Sequence, residues 1–145
     1  MIRNELEIAA DVDRVWALTV DVERWPELTP TITSVERLDD GPVAVGSRAR
    51  IKQPAQRAAT WTVSRLEPGS RFEWGTRVGP VHMVGGHRLE AVDGGTRNVL
   101  TVELSGFGSR LLERLVGGRM RDAIATENLG FKRAAEASTD PAAGE

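Results

Sequence analysis

Residues 60–77 read TWTVSRLEPGSRFEWGTR, and this stretch decides the fold. Large apolar side chains recur at alternating positions, with Trp61 before the turn at residues 67–70 and Phe72 and Trp74 after it. A period of two residues is typical of a half-buried strand, and a Pro-Gly pair favours the backbone angles of a tight turn. The stretch therefore predicts an antiparallel hairpin with one apolar face and one polar face.

The same pattern extends on both sides of this hairpin. Turn-forming residues recur at 39–42, 79–80 and 93–95, and they divide residues 32–104 into about six strands at hairpin spacing. Residues 2–8 also alternate and predict one further strand. One face of the resulting sheet is charged, whereas the other is apolar and must be covered.

The last segment, which begins near Ser109, supplies the cover. A helical wheel collects an apolar stripe, which consists of Leu112, Val116, Met120, Ala123, Phe131 and Ala134. The Gly117-Gly118 pair interrupts the stripe at about 1 kcal/mol per glycine relative to alanine, so we expect a kink or a helix start there. The sequence thus predicts an α+β fold in which a curved antiparallel sheet of about seven strands wraps one long C-terminal helix.

Two short helices are predicted between the first strand and the rest of the sheet. The second is expected to stop near Trp25, because Pro26 disfavours the α conformation in the residue before it. Trp16 and Trp25 are interpreted as structural anchors of these helices. Residues 1–137 then form one domain, and residues 138–145 are expected to be a disordered tail.

Composition excludes several classes of function. The 145 residues carry a formal net charge of −2, which argues against nucleic acid as the main partner. There is no cysteine, so a disulfide framework and a thiolate metal site are both excluded. No apolar run approaches the roughly 18 residues of a membrane span, and the N-terminus lacks the pattern of a signal peptide. We therefore expect a cytoplasmic monomer or homodimer without stable membrane insertion.

Short motifs along the whole chain match a known pattern. They are Val15-Trp16, Asp21, Trp25-Pro26, Val45-Gly46-Ser47, Gln53-Pro54, residues 61–63 and 67–74, Gly86-His87-Arg88-Leu89, Gly95-Thr96-Arg97, Gly106 and Gly130-Phe131-Lys132. With the order of the predicted elements, they make the chain resemble the helix-grip fold of the START-like (SRPBCC) superfamily. The polyketide cyclase/dehydrase-like members are the most similar branch.

The resemblance implies a cavity between the concave face of the sheet and the long helix. An empty apolar pocket of ligand size, on the order of 300 Å³, would cost up to about 7 kcal/mol. This cost is comparable with the whole stability of a domain, so the cavity must be small, wet or filled. A small hydrophobic molecule, such as a lipid, a polyketide or an aromatic metabolite, is the expected partner.

Two titratable residues are candidates for chemistry in such a cavity. His87 shares its strand parity with apolar residues, and its ordinary pKa suits a general acid or base; the alternative is a buried structural histidine. Glu127 lies inside the apolar stripe of the helix, where a carboxyl group is either desolvated or paired with a cation. The alternative is that Glu127 overhangs the sheet and reaches solvent. Together they could orient or polarise a carbonyl or hydroxyl group of a ligand.

The predicted wall of the cavity combines these two residues with the inward apolar ones. An aromatic cluster of this kind is otherwise simply core. The predicted ligand-binding residues are Trp61, Phe72, Trp74, Met83, His87, Leu89, Leu100, Met120 and Glu127.

Three functions are compatible with the predicted fold and its candidate residues. The first is a protein that binds or carries a hydrophobic small molecule, since this function needs only the cavity. The second is a cofactor-independent enzyme of the cyclase/dehydrase kind, in which His87 or Glu127 transfers protons. The third is a protein–protein module that uses the helix or a sheet edge. No metal is expected, because His82 and His87 lie at opposite parity along their strand and no cysteine can assist.

Overall fold

The computed structural model describes residues 1–137, and the predicted tail at 138–145 lies outside the described residues. The elements follow one another in the predicted order. They are β1 (Ile2–Ile8), α1 (Val12–Val20), a 3₁₀ turn (Val22–Arg24), α2 (Trp25–Leu28), β2 (Ser34–Arg37), β3 (Arg48–Lys52), β4 (Ala59–Glu67), β5 (Arg71–Val78), β6 (Val81–Val92), β7 (Gly95–Gly106) and α3 (Ser109–Ala137). Within residues 1–137, no helix is long and apolar enough to cross a membrane.

The seven strands form one antiparallel sheet in the order β1-β7-β6-β5-β4-β3-β2. Strands β2 to β7 are a meander of neighbours, and the first strand closes the far edge against the last. The register places Phe72 opposite His87 and His87 opposite Leu100, so the inward residues of three strands lie side by side. The helix-grip fold predicted from the alternation is confirmed.

Three asparagines fix the long helix on the sheet. Asn128 of α3 and Asn98 of β7 are both fully buried. The Nδ2 of Asn128 donates to Oδ1 of Asn4 at 2.9 Å and to the carbonyl oxygen of Asn98 at 3.1 Å, while Nδ2 of Asn98 donates to Oδ1 of Asn128 at 2.9 Å. Because buried amides must be hydrogen-bonded, this asparagine knot sets both the position of α3 along the sheet and its rotation about its own axis.

Gly130 brings α3 against the short helix α2. A Cβ atom at this position would lie only 2.1 Å from the carbonyl oxygen of Leu28. No side chain fits at that distance, so the close approach of the two helices depends on glycine.

The end of the second short helix differs from the prediction. Trp25 has α-helical angles, φ −55° and ψ −35°, although proline follows it, and α2 continues to Leu28. Pro26 lies in the first turn of α2, where its missing N–H group costs no hydrogen bond. The indole Nε1 of Trp25 also donates to the carbonyl oxygen of Leu18 at 3.2 Å, which holds this residue in place.

The glycine pair of the long helix is neither its start nor an interruption of it. Helix α3 runs without a break through Gly117 and Gly118. Gly117 is buried, and a Cβ atom there would meet the side chain of Ile2 at 3.9 Å. Gly118 is exposed, and within the described chain its Cβ atom would meet nothing within 4 Å.

Replacing Asn128 with alanine should strongly destabilise the protein. The change removes a hydrogen-bond partner from the buried Asn98 side chain and from the partly buried Asn4 side chain, and each buried group left unsatisfied costs about 1–3 kcal/mol. We expect a loss of about 2–5 kcal/mol in the free energy of unfolding, measured by urea denaturation. The neighbouring exposed residue offers a control, since Leu129→Ala should change stability by less than about 1 kcal/mol. Equal losses in the two variants would contradict the role of the knot.

Alanine substitution should change the free energy of unfolding in opposite directions at Gly118, which is exposed, and at Gly130, which is buried. Gly118→Ala should raise the free energy of unfolding by up to about 1 kcal/mol, because alanine is the better helix former and the site is open. Gly130→Ala should lower it by more than that, because the new methyl group collides with Leu28. Thermal melts of the two variants test this, and a stabilised Gly130→Ala protein would show that the helices can separate without cost.

Candidate functional site

A cavity of about 350 Å³ lies between the concave face of the sheet and the N-terminal half of α3. This volume falls in the range of small-molecule sites, which is about 300–1,000 Å³. The knot and Gly130 hold the C-terminal half of α3 close to the sheet and to α2. The helix contributes Leu112, Val116, Met120, Ala123 and Ile124 to the wall.

Three indole rings contribute to the wall, Trp61 and Trp74 from the sheet and Trp25 from α2. Trp25, Trp61 and Trp74 line the cavity, and the ring centres of Trp25 and Trp74 are 5.1 Å apart. Gly85 of β6 lies beside them, and a Cβ atom there would stand 3.7 Å from both Trp61 and Trp74. The absence of side chains there leaves a flat surface next to the indole rings.

His87 lies at the inner end of the cavity, inside an aromatic cage. Its ring centre is 5.1 Å from that of Trp25, 5.8 Å from that of Phe72 and 5.5 Å from that of Phe131. Burial among these rings lowers the pKa of His87 to about 4, because the charged imidazolium loses its water. Its Nδ1 has no hydrogen-bond partner among residues 1–137. The imidazole is therefore neutral at pH 7.

Glu127 reaches the cavity from α3, and its pKa is shifted in the opposite direction to that of His87. Burial raises the pKa of Glu127 to about 7, and the hydrogen bond from Thr31 opposes this shift. Near neutral pH the carboxyl group is thus present both protonated and ionised. It can donate a proton or accept one under the same conditions, as a general acid or base must.

Two threonine hydroxyls position the Glu127 carboxyl group. The hydroxyl of Thr31 donates to Oε1 of Glu127 at 3.0 Å, and the hydroxyls of Thr29 and Thr31 are 2.9 Å apart. Because Thr31 has one hydroxyl proton and gives it to Glu127, the Thr29 hydroxyl is the donor in the second bond. This chain of hydrogen bonds engages Oε1 and leaves Oε2 of Glu127 to meet a ligand.

Exposed residues mark the mouth of the cavity. Val78 stands at the β5–β6 turn, Gln56 in the loop after β3, and Arg119 on α3; all three line the cavity and are exposed. The cavity therefore presents a guanidinium group and an amide at its entrance, and the aromatic surface and Glu127 further in.

Comparison with known proteins gives the family. The profile described as polyketide cyclase / dehydrase and lipid transport matches residues 2–136. The chain belongs to this family.

One curated member and two solved structures are similar to this family member. A putative polyketide cyclase from Streptomyces cyaneus is 57% identical over 35 residues, which are 24% of this chain and 23% of that protein. The Zhui aromatase/cyclase from a Streptomyces species has a TM-score of 0.75 at 22% identity over 97% of this chain and 96% of that one. The di-domain ARO/CYC BexL has a TM-score of 0.72 at 24% identity over 96% of this chain and 47% of that one. At these identities the two structures show a shared fold.

The cavity of this cyclase-family chain brings together seven of the nine residues predicted to contact a ligand. They are Trp61, Trp74, Met83, His87, Leu100, Met120 and Glu127. Phe72 and Leu89 are buried in the core and are not among the lining residues. Trp25 stands against Phe72, with ring centres 6.2 Å apart, and takes its place at the surface of the cavity. The ligand contacts predicted for all nine residues stay a prediction, and Phe72 and Leu89 lie behind the cavity surface.

The sequence interpretation missed several lining residues. Trp25 is a structural anchor, as predicted, but it also lines the cavity. Arg119 lines the cavity from the flank of α3, and its position about 20° from Leu112 on the helical wheel, at 100° per residue, was the available signal. Thr31, which holds Glu127, comes from a loop that has no periodic pattern to reveal its direction.

His87 and Glu127 affect stability with opposite signs between about pH 4.5 and 6.5. The unfolded chain protonates His87 near pH 6.5, whereas the folded protein does so only at about 4, so this histidine destabilises the fold as the pH falls. The unfolded chain ionises Glu127 near pH 4.5, whereas the folded protein keeps that proton up to about 7. Glu127 therefore destabilises the fold as the pH rises.

Replacing Glu127 with glutamine should make stability more dependent on pH. Without the opposing carboxyl group, the free energy of unfolding should rise more steeply with pH than in the wild type, by up to about 1.4 kcal/mol per pH unit between about pH 4.5 and 6.5. Urea denaturation of both proteins at several pH values measures the difference between their free energies of unfolding. The contributions of the other titrating groups are the same in both proteins and cancel in this difference. Parallel curves would contradict a raised pKa at Glu127.

Proposed function

We propose that this protein binds a small, largely apolar molecule that carries one polar group, in the cavity between the sheet and α3. The observation that carries the proposal is the composition of the wall, in which aromatic and aliphatic side chains surround a carboxyl group held by Thr31. Apolar enclosure provides affinity, while a few placed polar groups fix orientation. Membership of a family described by cyclisation, dehydration and lipid transport supports the same conclusion.

The shape of the wall favours a planar ligand. Three indole rings and the flat surface at Gly85 offer faces against which a ring system can stack. Glu127 then meets a carbonyl or hydroxyl oxygen of the ligand, because its protonated form donates a hydrogen bond and its ionised form accepts one. Arg119 at the mouth suits a negative group at the outer end of the same ligand.

Filling the cavity should prevent binding of an aromatic probe. The fluorescent dye anilinonaphthalene sulfonate combines fused rings with an anionic group, so it suits the wall and Arg119. Ala123→Phe places a ring inside the cavity and should weaken dye binding by at least about tenfold, which corresponds to about 1.4 kcal/mol. Fluorescence titration gives the dissociation constants.

The matched control adds a ring on the outer face of the same helix. Leu129 is exposed, so Leu129→Phe should leave the dissociation constant unchanged. Equal affinity of the Ala123→Phe protein and the wild type would place the dye elsewhere and contradict the proposal. Native mass spectrometry of the protein as purified provides an independent measurement, since a bound small molecule adds to the mass.

A second candidate function is proton-transfer catalysis of the cyclase/dehydrase kind. The observation that favours it is the Glu127 carboxyl group, whose pKa of about 7 suits both roles in acid–base chemistry. In a dehydration, the protonated carboxyl group gives its proton to a departing hydroxyl group, the C–O bond breaks, and water leaves. The resulting carboxylate takes the proton from the adjacent carbon, so the acid is regenerated and no co-reactant is needed.

A simple β-hydroxyketone tests this candidate. The aldol adduct of benzaldehyde and acetone becomes a conjugated enone on dehydration, which ultraviolet absorbance follows directly. If the candidate is right, the wild type accelerates the reaction and Glu127→Gln lowers the rate by at least about a hundredfold while dye binding persists. Dye binding without any acceleration by the wild type would leave the protein a binder and reject the enzyme.

A further inference from the structure

A second apolar surface lies outside the cavity, at the end of the sheet where α3 begins. Phe107 is 87% exposed, Leu115 72%, Leu111 62% and Val78 49%. We call these four residues the apolar rim. Leu111 and Leu115 are four residues apart on α3, so they lie on the same side of the helix.

Backbone geometry brings the parts of the apolar rim to the same end of the sheet. Val78 pairs with Val81 across the β5–β6 turn, and Val81 pairs with Gly106 of β7. Phe107 follows directly, between two glycines at φ +101° and +81°. A Cβ atom at Gly106 would lie 2.4 Å from the carbonyl oxygen of Pro80, so only glycine allows this turn to pass so close to its neighbour. Phe107 is thereby presented at the tip of a tight turn.

The apolar rim continues into the mouth of the cavity. Val78 belongs to both, since it is exposed and also lines the cavity. On the helix, Leu115 lies about 60° from Leu112 and about 40° from Arg119 at 100° per residue. Leu112 and Arg119 both line the cavity. A surface that covers the rim would therefore lie directly at the entrance.

Positive charge flanks the apolar rim. Residues 106–122 contain four arginines, one glutamate and one aspartate, a local excess of positive charge in a chain whose net charge is −2. Arg110, Arg114 and Arg121 project from one side of the Leu111–Leu115 stripe, within about 40° of one another, and Arg119 from the other. Of the two acids, Glu113 lies 3.8 Å from the N-terminal amino group, and Asp122 stands in line with the leucines about two turns beyond Leu115. An apolar stripe flanked by an excess of basic residues is typical of helices that lie on anionic membranes.

We propose that the apolar rim and its arginines dock the mouth of the cavity onto the surface of an anionic lipid bilayer. The shape of the rim favours a bilayer over a rigid protein partner, because projecting side chains such as Phe107 insert into acyl chains without a matching groove. Charge disfavours a second copy, since a two-fold contact through this surface would bring the arginines of both chains together. When the protein is docked in this way, an apolar ligand can pass between the bilayer and the cavity without crossing water.

Vesicle co-sedimentation tests the proposal. The wild type should sediment with vesicles of phosphatidylcholine and phosphatidylglycerol, and binding should fall with added salt and with vesicles of phosphatidylcholine alone. The double change Leu111→Ser with Leu115→Ser should lower the partition coefficient by at least about tenfold. Leu129→Ser removes an exposed leucine from the other half of α3, far from the apolar rim, and should have no effect.

Arginine reversal supplies the electrostatic part of the test. Arg114→Glu removes one favourable charge near the membrane and adds a repelling one, so binding should fall by at least about fivefold. Arg133→Glu makes the same change at an exposed position near the other end of the helix and should leave binding nearly unchanged. Unchanged melting temperatures confirm that these surface variants remain folded.

Four outcomes would overturn the proposal. They are failure of the wild type to bind anionic vesicles, an equal loss in the Leu129→Ser control, a dimer in light scattering that the Leu111/Leu115 change dissolves, and binding to polyglutamate but not to vesicles. The last two would assign the rim to a second copy or to an acidic protein. Because the loss of dye binding in Ala123→Phe reports on the cavity, failure of membrane docking with that loss intact would leave the proposed ligand site standing.

Discussion

The buried contact between Asn128, Asn98 and Asn4 is the constraint on which the remaining structure depends. An apolar helix on an apolar sheet can slide or turn by one residue at little cost, because hydrophobic contact has no direction. Buried amides remove this freedom, since a shift that breaks their hydrogen bonds leaves several polar groups unpaired. The rotation they impose directs Ile124 and Phe131 into the core and leaves Glu127 at the cavity.

The two halves of α3 consequently do different work. The C-terminal half, held by the asparagines and by Gly130, completes the core around Phe131. The N-terminal half contributes a cavity wall on one side and exposed leucines on the other. A second, smaller apolar cluster of Ile2, Leu100 and Ile124 joins α3 to strands β1 and β7. Trp25, Ile51 and Trp74 belong both to the main core and to the cavity wall, so the packing that stabilises the fold also shapes the cavity of about 350 Å³.

Local pattern was enough to predict the sheet and part of the site. The alternation that begins at residues 60–77 correctly predicts that Trp61, Trp74 and His87 point inward. This prediction needs only local sequence, because successive side chains of a strand point to opposite faces. It could not distinguish Trp74, which lines the cavity, from Phe72, which does not, because both lie on the same face of β5. Phe72 is separated from the cavity by Trp25, which belongs to another element and packs against it. The pairing of Thr31 with Glu127 joins residues 96 apart in sequence, and no spacing rule contains it.

The asparagine knot also joins residues 124 apart, from the first strand to the last helix. Synthesis proceeds from the N-terminus, so all seven strands are made before the helix that covers them. Until α3 emerges, the concave face presents Trp61, Trp74 and their neighbours to water, in the state most prone to aggregation. The surface that becomes the binding cavity is thus the one that stays uncovered until the final helix is made.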